Sequence, residues 1–296
     1  MDQATQLRNI IKASAVVNTS APSARVLTVT SGKGGVGKSN VSINLAVQFR
    51  KMGKRVIIFD ADFGLANIEV MFGAIPKHNL YDLIYHGKNI TEIITEGPMG
   101  IGFISGGSGI AGLSNLDRNH INFLIQNLAQ LDSLADVIII DTGAGISDAV
   151  LEFLVASKEV LLVTTPEPTS ITDSYSLLKA LNRHPNYNEA MTRVKVVANK
   201  AENFEEGKQL FTKLNAVVGR YLKMPIEFIG VIPEDSQLSK AVMQQNPVSI
   251  QSPGSKSAKA FEDLAVTLTT NSMEPVVTKH GMAGFFANMV RGKRFI

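Results

Sequence analysis

The stretch VLTVTSGKGGVGKSNVSINLAVQF, Val26 to Phe49, joins two unlike segments. Val26–Thr30 is β-branched and apolar, as in a strand buried on both faces. Val41, Leu45 and Phe49 recur at helical spacing. Between them Gly32-Lys33-Gly34-Gly35-Val36-Gly37-Lys38-Ser39 satisfies G-x-x-x-x-G-K-[ST] in the strand–turn–helix setting that the pattern requires. The glycines let the backbone N–H groups of Gly34, Gly35, Val36 and Gly37 wrap phosphate oxygens. The helix opening at Lys38, Ser39 and Asn40 adds its partial positive charge. Lys38 is then placed to reach the β/γ-phosphates of a nucleotide, and Ser39 to ligate Mg²⁺. A second lysine, Lys33, stands at the mouth of the loop and is not required by that pattern.

Further short apolar runs follow at Arg55–Asp60, Ile101–Ile104, Val137–Asp141, Val160–Thr164, Val194–Asn199 and Glu227–Ile232, separated by amphipathic stretches such as Leu177, Leu178 and Leu181. Near-continuous strands alternating with helices imply an α/β fold. The expected architecture is a mostly parallel central sheet of about seven strands, with helices on both faces. Two of the runs, VIIFDAD and VIIID, end in Asp60, Asp62 and Asp141. Open α/β sheets bind ligands at the C-terminal ends of their strands, so these carboxylates are candidates to hold Mg²⁺ or orient water. Gly107–Gly112 also fits G-x-G-x-x-G, but no acidic residue stands about twenty positions on at a strand end, and a plain surface loop is expected there.

The chain of 296 residues carries 29 basic and 26 acidic side chains. A net charge of +3 does not by itself argue for nucleic acid, and no basic face is concentrated in the core. The absence of cysteine excludes disulfides, thiolate metal ligands and cysteine nucleophiles. Nothing reaches the ~18 apolar residues of a membrane span, and MDQATQLRNIIK has no apolar export core. The expected organisation is a short helix over residues 1–12, a small-residue linker over 13–24, a core domain over 25–270, a linker over 271–281, and an amphipathic helix over 282–296. In that last segment Met282, Phe285, Phe286, Met289 and Val290 share helical spacing beside Arg291, Lys293 and Arg294. It is too short to span but suited to lie in the headgroup region of an anionic bilayer, and pairing two such helices would multiply their avidity.

KGGVGKS with its early lysine, DADFGLAN (60–67), DTGAG (141–145) and VIPED (231–235), in that order, resemble the MinD/ParA family of deviant Walker A ATPases over about Val26 to Leu268. The resemblance implies a nucleotide-dependent homodimer in which Lys33 reaches the partner's phosphates and Asp62 orients the hydrolytic water. It also implies that Asp60 and Asp141 hold Mg²⁺ through its waters, while Gly143 and Gly145 sense the γ-phosphate. Adenine would be read by Asn199 and by the backbone of Pro233, Glu234 and Asp235. Asn199-Lys200-Ala201-Glu202 nonetheless mimics the N-K-x-D guanine reader, so the base stays open between ATP and GTP on these residues alone, with the resemblance favouring ATP.

The head D-Q-A-x-x-L-R resembles the FlhG (FleN) branch of that family, the regulators of flagellar number. There it implies docking on an FlhF-type signal-recognition GTPase through Asp2, Gln3, Leu7 and Arg8. The same resemblance implies peripheral association with the cytoplasmic face of the inner membrane, and flagellar switch proteins or a flagellar transcription regulator as further partners. Partitioning ATPases of the ParA type and division-site ATPases of the MinD type are the alternatives. Thr142-Gly143 stands where MinD has Ser-Pro, and Ser39 preserves the hydroxyl of the commoner Thr.

Overall fold

A computed structural model describes residues 23–62, 67–106, 118–270 and 281–291. The chain runs β1 (Arg25–Ser31), α1 (Lys38–Lys51), β2 (Val56–Ala61), α2 (Asn67–Phe72), α3 (Leu80–Tyr85), β3 (Thr95–Glu96) and β4 (Gly102–Ser105). It continues through α4 (Arg118–Ala129), α5 (Leu131–Leu134), β5 (Val137–Ala144), α6 (Asp148–Ala156), β6 (Glu159–Thr164), α7 (Pro168–Arg183) and β7 (Arg193–Ala201). α8 (Phe204–Tyr221), β8 (Ile226–Pro233), α9 (Ser236–Met243), α10 (Val248–Gln251), α11 (Lys256–Thr270) and α12 (Met282–Arg291) complete it.

The eight strands form one sheet in the order β3-β4-β2-β5-β1-β6-β7-β8. Every pairing is parallel except β3 with β4. All seven expected strands are present. The eighth, β3, is a two-residue antiparallel edge strand, too short to leave a pattern in the sequence. Side chains alternate across the sheet, as strand geometry dictates. Leu27, Val29, Ile58, Ile139 and Val163 pack on one face with α1 and α11, while Ile57, Phe59, Ile138 and Ile140 pack on the other with α3, α4 and α6. Both faces are therefore covered, which is why the strands read as continuous apolar runs.

Strand order reverses around β1, which lies between β5 and β6. Ligands bind at such a switch point, outside the carboxyl ends of the strands. The loop Gly32–Ser39 opens at that point.

The C-terminal helix lies docked on the core in this structure. Phe285 and Phe286 of α12 are each 2% exposed, and Met282 and Met289 are buried with them. Phe285 stacks on Phe153 of α6 at 5.9 Å between ring centroids, and the Met282 N–H donates to Asp132 Oδ1 at 2.7 Å. An amphipathic stripe buries itself wherever a complementary apolar surface is available, and here α4 and α6 supply one. The side chains of Val290, Arg291, Lys293 and Arg294 lie outside the described residues, as does the whole head with Asp2, Gln3, Leu7 and Arg8. Among the described residues no helix is long and apolar enough to cross a membrane.

Candidate functional site

The glycines of the phosphate loop are required by close packing as well as by conformation. Gly37 has φ 93°, and a Cβ there would strike the Asn199 amide. A Cβ at Gly32 would collide with the backbone of Asp173 and Ser174 in α7. The loop is thus wedged between β7 and α7, where any larger residue would displace one of them.

Inside the loop, Lys38 is 7% exposed and pairs with the fully buried Asp141 at 3.0 Å. Ser42, one helical turn after Lys38, donates its hydroxyl to the same oxygen, Asp141 Oδ1, at 2.8 Å. The other oxygen, Oδ2, is buried and finds no partner among the described residues. Asp60 lies directly opposite Asp141 in the β2–β5 register. Burial, and then the Asp141 charge, push the Asp60 carboxyl up to about 7. Its oxygens accept the N–H groups of Asp62 at 3.1 Å and Ile68 at 3.3 Å.

Two adjacent acids of which one is driven toward neutrality form a site short of positive charge. A hard divalent cation relieves that shortage, and one or two carboxylates with a hydroxyl suit Mg²⁺. The orphaned Asp141 oxygen, Asp60 and Ser39 at the head of α1 fit it. The glycine cradle beside Lys38 fits a nucleotide's phosphates.

Asp62 sits at the rim, where Asn67 Nδ2 donates to its Oδ2 at 3.3 Å. A Cβ on Gly143 would come within 3.8 Å of Asp62 Oδ1. The Gly145 N–H donates to Ser31 O at 2.9 Å, tying the end of β5 to the start of the phosphate loop. Gly143 and Gly145 therefore border the same mouth as Asp62. On the far side, Asn199 Nδ2 donates to Val36 O at 2.7 Å, and its buried Oδ1 finds no partner among the described residues. Pro233 pairs with Ala201 across β7–β8, and the Glu234 N–H donates to Ala201 O, so the VIPED segment runs beside the end of β7 that carries Asn199. The Asp235 carboxylate caps α9 through the Gln237 N–H and accepts both bonds from Ser257. It is occupied structurally, which leaves its backbone as the part available to a base.

Lys33 stands apart. Its ammonium donates to Glu167 Oε2 at 2.8 Å and to Thr169 Oγ1 at 2.9 Å, both at the start of α7. The Glu167 carboxyl is held below its usual range mainly by this hydrogen bond. In this chain the early lysine is therefore satisfied within its own protomer. Sequence reasoning missed Ser42, Glu167 and Thr169 as site residues, and met Lys200 only as part of the N-K-x-D mimic. Glu167 and Thr169 lie three and five residues past the apolar run ending at Thr164, beyond the strand-end position that marked Asp60 and Asp141, and Ser42 lies at i+4 from Lys38.

Comparison with known proteins accords with this geometry. Residues 23–269 match the family model described as ParA: NUBPL iron-transfer P-loop NTPase. The chain is 43% identical over 241 residues to the antiactivator FleN of Pseudomonas aeruginosa, covering 81% of this chain and 85% of that one. It is 32% identical over 278 residues to the flagellum site-determining protein YlxH of Helicobacter pylori, covering 90% of each. Among solved structures, the cell division ATPase MinD of Pyrococcus furiosus superposes with a TM-score of 0.65 at 24% identity, over 84% of this chain and 99% of that one. The MinD of Pyrococcus horikoshii, solved with Mg-ADP, does so with a TM-score of 0.66 at 23% identity, over 84% and 98%. The chain belongs to the ParA/MinD family of P-loop NTPases.

Proposed function

We propose that this protein is an ATP-hydrolysing dimer switch that regulates the number or placement of flagella. The observation that carries the catalytic part is the buried Lys38–Asp141 pair beside Asp60 and the orphaned Asp141 oxygen. The biological part rests on relatives that are named an antiactivator and a flagellum site-determining protein. Bound magnesium would neutralise phosphate charge at this site. Lys38 and the loop amides hold and orient the phosphates, Ser39, Asp60 and Asp141 would hold the ion, and Asp62 orients the attacking water. Gly143 and Gly145 register whether the terminal phosphate is present. Asn199 and the backbone of Pro233–Asp235 face the base.

Lys33 leaves Glu167 and reaches the partner's phosphates as two protomers close. A cation supplied in trans offsets charge developing on the transferred phosphoryl group. The docked α12 is the resting form of a membrane helix: dimerisation releases Phe285, Phe286 and Met289 toward anionic lipid, and hydrolysis returns them. The head acts on an FlhF-type GTPase at the cytoplasmic face of the inner membrane. Flagellar switch proteins or a transcription regulator are further partners, and specific nucleic-acid binding is not part of the function.

Asp62→Ala is expected to lower phosphate release by ~10²-fold or more while dimers accumulate; an unchanged rate removes Asp62 from its role. Co-sedimentation with anionic liposomes, with ADP or ATP and with or without residues 282–296, tests the switch. Pelleting only of the full chain with ATP is expected, and equal pelleting in all four arms would end the membrane account. Steeply salt-dependent DNA binding would favour the partitioning alternative.

A further inference from the structure

The C-terminal end of β7 grips two consecutive carbonyls of the phosphate loop. Lys200 Nζ donates to Gly35 O at 2.9 Å, and Asn199 Nδ2 donates to Val36 O at 2.7 Å. Lys200 does so from a left-handed backbone conformation, φ 57°. Residues with a Cβ enter that region at a cost, and such cost is commonly retained where function needs the geometry. The approach also depends on Gly37, where any side chain would strike the Asn199 amide.

A trans peptide is planar, so its C=O and the next N–H point in opposite directions. No peptide bond among the described residues is cis. Drawing the Gly35 carbonyl toward the end of β7 therefore turns the Val36 N–H away from it. Drawing the Val36 carbonyl the same way turns the Gly37 N–H likewise. Those two amides are the ones that the loop's curvature would present to a phosphate. A phosphate loop whose amides already point inward spares the nucleotide the cost of aligning them.

We propose that Lys200 is a positioning residue for the triphosphate, acting through the Gly35 carbonyl to aim the loop amides at the phosphates. This rests on the nucleotide-binding reading of the site. Lys200 also brings positive charge to the mouth, where it adds to the larger effect of Lys33 in lowering the Glu167 carboxyl.

The test uses the full chain and two probes, magnesium ATP and magnesium tripolyphosphate, which has no base. Lys200→Met is expected to weaken both by the same factor, roughly 3- to 10-fold for one partly exposed charged hydrogen bond, in calorimetric titration. Lys200→Arg should recover part of the loss. Lys200→Gly relieves the left-handed backbone, so it should melt no lower than Lys200→Met yet bind phosphate as weakly. That split is one a purely structural role would not produce.

Weakened ATP with unchanged tripolyphosphate would overturn the proposal by assigning Lys200 to the base. Unchanged binding of both would reduce the contact to surface packing. A loss of affinity that tracks the melting temperature across the variants would overturn it as well. A wild-type chain that binds neither probe would instead refute the nucleotide reading, and this inference with it.

Discussion

Lys33 and Lys38 belong to one loop and meet opposite fates. Lys38 is 7% exposed and locked to a fully buried aspartate, whereas Lys33 is 37% exposed and paired with Glu167, itself 60% exposed. Electrostatics makes these pairs differ in kind. A buried ion pair cannot lose one member without leaving an uncompensated charge in a poor solvent. An exposed pair is exchanged for water at little cost, and salt screens it. The loop thus carries one cation that is fixed to the site and one that is able to change partners. In the proposed function the site's own phosphates would engage the first, and a second protomer would recruit the second.

The sharpest break in this comparison is Lys38→Met. It strips the charge from the Asp141 pair and should abolish nucleotide binding in titration calorimetry. Urea unfolding should show a loss of about 3 kcal/mol, because Asp141 is left buried without its cation. Lys33→Ala should shift the urea midpoint only slightly and leave ADP affinity unchanged while ATP-dependent dimers disappear in analytical ultracentrifugation. Dimers of native strength would show that Lys33 is only a loop lysine.

The carboxylate opposite the Lys38–Asp141 pair supplies a further test. Asp60 is raised from 3.8 to about 7, so the folded chain keeps a proton that the unfolded chain releases. Its contribution to stability is full below about pH 4 and is lost as pH rises through about 7. For the chain without metal or nucleotide, the expected loss across that window is a few kcal/mol at most, because each tenfold change in proton affinity is worth about 1.4 kcal/mol. Unfolding free energies between those pH values measure it, and Asp60→Asn should flatten the slope.

The smallest effect is expected at Glu167→Gln, which loosens Lys33 within its own protomer. An exposed pair is worth roughly a 2- to 5-fold change in equilibrium. Two such pairs open per dimer, so the ATP-bound dimer should tighten about 4- to 25-fold. A weaker dimer would mean that Glu167 helps association and does not restrain Lys33.

Much of this molecule was written in local pattern. The seven main strands were legible because strands buried on both faces are apolar without interruption. The phosphate loop was legible because only glycine tolerates backbone at φ 93° with an amide pressed against its α-hydrogens. Asp60, Asp62 and Asp141 could be found from their places at strand ends. β3 escaped because two residues carry no period.

Chain order could not supply what depends on distant segments meeting. Glu167 and Thr169 lie 134 and 136 positions from Lys33, and nothing near either end announces the contact. The same holds for Lys200 on Gly35, 165 positions away, and for α12. Its stripe of Phe285, Phe286 and Met289 told that the helix would bury an apolar face, but not against what. Hydrophobic burial is non-directional, so sequence determined that these side chains leave water, and only the tertiary structure decided that α4 and α6 receive them. Charge pairing follows the same rule: the loop's sequence supplied Lys33 and Lys38, and the fold decided which is buried and which stays exposed.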